Sequence, residues 1–155
     1  MASFQNKTVD NCDNGIISEQ DANDIETLLR RIYSETRCDC QKCQIDETGY
    51  AVMVAIMPRM DRLMVNASQN PIEDALYNAK AYAYYLSLYW GFTDCDERLY
   101  TLTYKDARKY LTDNVVIDST LRATKHFKSG TKEGIAKGLK QLVQMYFGKL
   151  QEKTQ

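Results

Sequence analysis

No stretch of this sequence approaches the roughly 18 to 20 uninterrupted apolar residues that cross a bilayer, and its longest apolar run, Tyr50 to Pro58, is only of strand length. A membrane-embedded chain is therefore not expected. The N-terminus, Met1 to Asp10, lacks the basic and apolar regions of a secretory leader, so an exported protein would have lost its leader and Met1-Ala2 would be an expression start. Net charge is almost absent. Twenty basic residues face 21 acidic ones, a formal charge of −1, which removes the electrostatic attraction that dominates binding to nucleic acid phosphates. Histidine is scarce too: the one histidine, His126, has no cysteine, serine or carboxylate at motif spacing and reads as a partly exposed helix-end residue. Phosphate-cradling glycine loops, Gly-x-Ser-x-Gly elbows and His-Glu-x-x-His motifs are all missing. These absences weigh against catalysis.

What is present fits one globular domain. The 155 residues, 44% hydrophobic and 26% charged, suffice for a single core. We expect a polar lead-in over residues 1–11, one domain over 12–150 and a polar tail over 151–155. Five cysteines stand at Cys12, Cys38, Cys40, Cys43 and Cys95, three of them within six residues. A structural zinc site needs four ligands and usually two Cys-x-x-Cys knuckles, but only Cys40 and Cys43 form such a pair. A redox Cys-x-x-Cys belongs at a helix N-terminus, whereas this pair follows a helix. Disulfides rank ahead of zinc and of reduced thiols. The sequons at Asn6 and Asn66 also suit an extracellular chain. Two bridges are expected, with Cys12 and Cys95 each joined to the 38–43 cluster or to each other and one cysteine left over.

The patterning predicts an α/β fold, a small central β-sheet layered with about four α-helices. Ser18 can cap a helix over about residues 19–36, in which Ile25, Leu28, Leu29 and Ile32 recur at helical spacing. The cysteine cluster follows as a loop. Tyr50 to Pro58 reads as a central strand buried on both faces, and Asn70-Pro71 opens a helix running to about Trp90. Arg98 to Tyr104 and Asp106 to Leu111 supply further strand candidates. Thr112-Asp113 caps a helix carrying Val116, Ile117, Leu121 and Phe127; Ser129-Gly130-Thr131 breaks it before a last helix with Ile135, Leu139, Leu142, Val143 and Tyr146 on one face.

Several fragments, in this order, resemble a TPM domain over about residues 12–148: Asp13-Asn14-Gly15-Ile16-Ile17-Ser18, the strand Val52 to Pro58, Ala81-Tyr82-Ala83, Trp90-Gly91, Leu111-Thr112-Asp113, Phe127-Lys128-Ser129-Gly130, and Gly134-Ile135 with Gly138-Leu139. The cysteine-bearing loop and Trp90 to Cys95 are most similar to the nematode modulator of levamisole receptor group. That resemblance implies the ectodomain of a single-pass cell-surface protein, anchored by a segment outside this chain, acting as an accessory subunit of acetylcholine-gated channels. Its partners would be membrane receptor or channel subunits. The alternative it carries is a metal-dependent phosphatase of the TPM fold, with Asp13 and Asp113 holding calcium or magnesium. Capping or turn formation is the simpler reading of both aspartates, and no cofactor is otherwise expected. The glycine-rich loop of the enzymatic members is replaced here by Thr103-Tyr104-Lys105-Asp106-Ala107-Arg108.

The middle helix points to binding. Ile72, Leu76, Ala79, Ala83, Leu86 and Trp90 form one apolar face, the expected core side. Tyr77, Ala81, Tyr84 and Leu88 form a second stripe opposite. Unless another helix covers it, Tyr77, Tyr84 and Leu88 are candidate partner contacts.

Overall fold

Three of the four long helices described begin where the sequence offers a hydroxyl to the free backbone amides of the first turn. The computed structural model describes residues 9–11, 15–39, 41–57, 70–89 and 107–152. Helix α1 spans Glu19–Glu35, and Ser18 Oγ accepts from Asp21 N at 3.0 Å while its own hydroxyl donates to Asp21 Oδ2 at 2.7 Å. The Ser18 hydroxyl thus caps the Asp21 amide and is itself oriented by the Asp21 carboxylate. Thr112 caps helix α4, Asp113–Phe127, and Thr131 caps helix α5, Lys132–Gln151. Between α1 and α4 lie helix α2, Gln41–Asp46, and helix α3, Pro71–Tyr89.

The α/β architecture that the patterning predicts, a small central sheet layered with about four helices, is not what these residues adopt. Strand structure among the described residues amounts to β1, Val9–Asn11, and β2, Val54–Ile56, paired in parallel with Val9 opposite Val54 and Ile56 opposite Asn11. Three residues per strand make a clasp, not a central sheet on which helices could be layered. The parallel pairing needs a crossover, and α1 lies in it. Tyr50 and Ile56 are buried, but residues 51–55 between them are only half-buried, so the expected strand over 50–58 shrinks to the stretch with a partner. An apolar run of this length reads as a doubly covered strand only if a sheet exists on both sides of it. Residues 107–109 form a 3-10 turn and not a strand; the other strand candidate, 98–104, lies outside the described residues. The cysteine cluster, expected as a loop, contains α2.

The core is helical. α1 and α5 run parallel, because Lys140 meets Asp21 and Asp24 at one end while Gln151 Nε2 donates to Glu35 at the other, with the Arg31 guanidinium 5.1 Å from the Phe147 ring centre between them. Ile25, Leu29 and Ile32 from α1 are buried in the same cluster as Ala136, Val143, Phe147 and Leu150 from α5. α4 folds back antiparallel on α5 through small residues. Ser119 and Ala123 are its buried positions, and Gly138 of α5 lies so close to the Phe127 ring that a Cβ would stand 2.8 Å from its Cδ1. Small residues bring two helix backbones together and leave the larger side chains on the outside. Ile117 and Leu121 accordingly face outward, 56% and 67% exposed. Helix α3 differs from all three. Among the described residues it makes no packing comparable with α1 on α5 or α4 on α5.

Candidate functional site

The chemistry-bearing candidates separate in space and in kind. Asp113 is the first residue of α4; it is 81% exposed in its side chain and accepts from Arg108 Nη2 at 3.3 Å, while Thr112 supplies the cap. Asp13 lies outside the described residues, as do the sequons at Asn6 and Asn66. No group of three or more histidine, cysteine, aspartate or glutamate side chains could hold a metal among the described residues. His126 sits half-buried in the last turn of α4, at the edge of a shallow cleft of about 440 Å³ shared with Asp21, Glu133, Lys137, Lys140 and Gln141.

At the edge of that cleft Lys140 ties α5 to α1. Lys140 Nζ donates to Asp21 Oδ1 at 2.7 Å and to Asp24 Oδ2 at 2.8 Å. These hydrogen bonds hold both carboxyls below the usual aspartate range, Asp21 helped by Ser18 and Asp24 by Gln20, and hold the Lys140 ammonium above the usual lysine range. The triad was not singled out from the sequence, because 116 or more residues separate Lys140 from its partners.

The cysteine loop is a structural staple. Cys38 and Cys43 form a disulfide with Cα atoms 5.8 Å apart. The bridge lies inside the cluster, which leaves Cys12, Cys40 and Cys95, all outside the described residues. Just past α2, Glu47 has a φ of 53° that puts it in the left-handed region, and Thr48 N donates back to Cys43 O at 2.9 Å. The chain then returns to α1: Gly49 N donates to Tyr33 O at 2.8 Å and Tyr50 N to Thr36 Oγ1 at 3.0 Å. Gly49 is required here because a Cβ would collide with Thr36 Oγ1 and stand 2.6 Å from the Thr36 carbonyl. Thr36, fully buried, closes the node by donating to Ile32 O at 2.6 Å.

Among the described residues, α3 carries the largest exposed aromatic surface. Tyr77, Tyr84 and Leu88 are 52%, 39% and 37% exposed, and successive spacings of seven and four place them along one line of the helix. Ala79, Ala83 and Leu86 on the opposite side are half-buried; the side chains of Ile72, Leu76 and Trp90 lie outside the description. Two further residues extend the stripe and were missed. Tyr85 and Tyr89 are more exposed than Tyr84, and Tyr85 meets Tyr84 edge to face with ring centres 5.8 Å apart. The signal was available: Tyr77, Ala81, Tyr85 and Tyr89 recur every four residues. No described helix is long and apolar enough to cross a membrane, so this aromatic face is not part of a described span.

Residues 5–108 match the family model described as modulator of levamisole receptor-1. The chain belongs to the modulator of levamisole receptor-1 family. No curated protein and no solved structure matches it. The family match takes in both strands of the clasp, α1, the Cys38–Cys43 staple and the whole tyrosine helix α3, and it stops within the 3-10 turn that precedes α4. α4 and α5 lie beyond the match, yet α5 buries the apolar face of α1 that lies inside it.

Proposed function

We propose that this chain is an extracellular accessory module that associates with a membrane receptor, a levamisole-type acetylcholine-gated channel, through the tyrosine face of α3. The observation that carries the proposal is the coincidence of the family-matched segment with an exposed aromatic stripe on a helix that the rest of the described chain leaves largely uncovered. Tyrosines lose few rotamers on binding and contribute large amphipathic area, which is why they recur at interface centres. The Cys38–Cys43 disulfide supports placing the module in an oxidising compartment.

The test is co-purification of the intact chain with candidate channel subunits, using Tyr84→Glu beside a thermal melt. Association should weaken by more than about 1 kcal/mol if Tyr84 is a central contact. The melt should not move. An unchanged melt with unchanged association removes α3 from the interface, and loss of the fold shows that the stripe is internal packing.

A further inference from the structure

The outer face of α4 carries a second apolar patch, separate from the tyrosine helix and outside the family match. Ile117 and Leu121, one turn apart, are more than half exposed. Around them, Thr120 donates its hydroxyl to Val116 O at 2.7 Å and Thr124 donates to Thr120 O at 2.7 Å. Both hydroxyls are thus satisfied within the helix, and the threonines add apolar surface to the isoleucine and leucine. An exposed apolar patch rimmed by polar residues is where an interaction surface is sought.

The charges flanking the patch select one. The N-terminal half of the face is acidic, with Asp113 and Asp118, and the C-terminal half is basic, with Arg122, Lys125 and Lys128. Asp118 and Arg122 lie on the same flank of the apolar pair, where they form an exposed ion pair at 2.9 Å. A face that is acidic at one end, apolar in the middle and basic at the other is complementary to itself when reversed. We propose that α4 docks against α4 of a second copy of this chain, the two helices running antiparallel about a twofold axis that passes between Ile117 and Leu121. Asp118 then stands beside Arg122 of the second copy, and Arg122 beside Asp118 of the second copy. Ile117 packs near Leu121 across the axis, and the helix dipoles oppose. A parallel arrangement would set like charges against each other. The near-zero net charge of the chain adds no long-range repulsion between copies.

One helix face per subunit falls below the size of a permanent interface, so the dimer is weak, with a dissociation constant on the order of 100 µM. Sedimentation velocity of the intact, unreduced chain from about 5 to about 500 µM brackets that constant. The expected result is a reversible shift from monomer to dimer across the series. Leu121→Glu should raise the dissociation constant at least about tenfold without altering the melt, since the residue is exposed. Asp118→Arg and Arg122→Asp should each weaken the dimer, and the two together should restore it by regenerating the intermolecular pairs. The proposal is overturned by a monomer at every concentration, by a dimer indifferent to Leu121→Glu, or by failure of the double charge reversal to restore association. A dimer that Tyr84→Glu abolishes, or one that survives only as a disulfide-linked species on a non-reducing gel, overturns it equally.

Discussion

Helices α1 and α3 are nearly the same length, 17 and 19 residues, and both lie within the family-matched segment, yet their surfaces are built on opposite plans. α1 sorts its residues. Ile25, Leu29 and Ile32 go to the core, while Glu26–Arg30 and Arg31–Glu35 ion pairs four residues apart flank that apolar stripe. α3 has apolar residues on every side, its charges confined to Glu73, Asp74 and Lys80. A helix finished with charges is complete within its own chain, whereas a helix that turns tyrosines outward is stable only with what it meets. The fold therefore resides in α1, α4 and α5, and the face proposed for binding in α3.

The comparison breaks most visibly at the core of the first group. Leu150 is fully buried where α5 covers α1, and Leu150→Ala should cost about 3 kcal/mol in urea unfolding. The same truncation at Leu88 on α3 should stay within about 0.5 kcal/mol. Equal losses would erase the distinction between the two helices. The staple comes next. Cys38→Ser with Cys43→Ser should lower stability by about 2 kcal/mol through the freed loop, and Gly49→Ala by a similar amount, about 2 kcal/mol, through its collision with Thr36. Both are read from melts in non-reducing buffer, and either variant at wild-type stability would show that the loop is not tied to α1.

A smaller effect belongs to the triad that joins α5 to α1. Lys140→Met should cost about 1 kcal/mol near neutral pH, the upper end for partly exposed ion pairs. Asp21 and Asp24 have lowered values in the fold, so their contribution is complete above the ordinary aspartate value and is lost as pH falls through the lowered ones. Lys140 is raised, so its contribution is complete below the ordinary lysine value and is lost only as pH climbs through the raised one. The gap in melting temperature between the wild type and Lys140→Met should therefore be open at pH 7 and close as pH falls through the lowered values of the two aspartates. A gap that persists in acid would assign the effect to packing of the lysine stem.

The long helices were legible because their signals are local. Ser18, Thr112 and Thr131 mark the starts, and Ile25, Leu29 and Ile32 repeat at helical spacing. The sheet was misread because Tyr50 to Pro58 has the composition of a buried strand and nothing in it reports whether neighbours exist. On α4 the larger residues misled. Val116 and Phe127 do pack inward, but Ile117 and Leu121 stay exposed and the buried positions are Ser119 and Ala123, since close helix approach selects small side chains that carry no hydropathy signal. The α3 stripe was visible in outline, with Tyr85 and Tyr89 left out because the stripe was drawn one residue wide. The Lys140 triad was invisible because only tertiary packing brings α5 to the N-terminus of α1.

The central claim, that α3 is the face this chain offers to a partner, is tested most directly by hydroxyl-radical footprinting of its tyrosines in the presence and absence of receptor subunits. The free chain should label readily at Tyr77, Tyr84, Tyr85 and Tyr89 and poorly at the buried Tyr50. Bound to its partner, it should lose labelling at Tyr77 and Tyr84 first, with Tyr33 on α1 and Tyr146 on α5 unchanged. Protection at Tyr33 and Tyr146 with the α3 tyrosines still labelled in the complex would contradict the account.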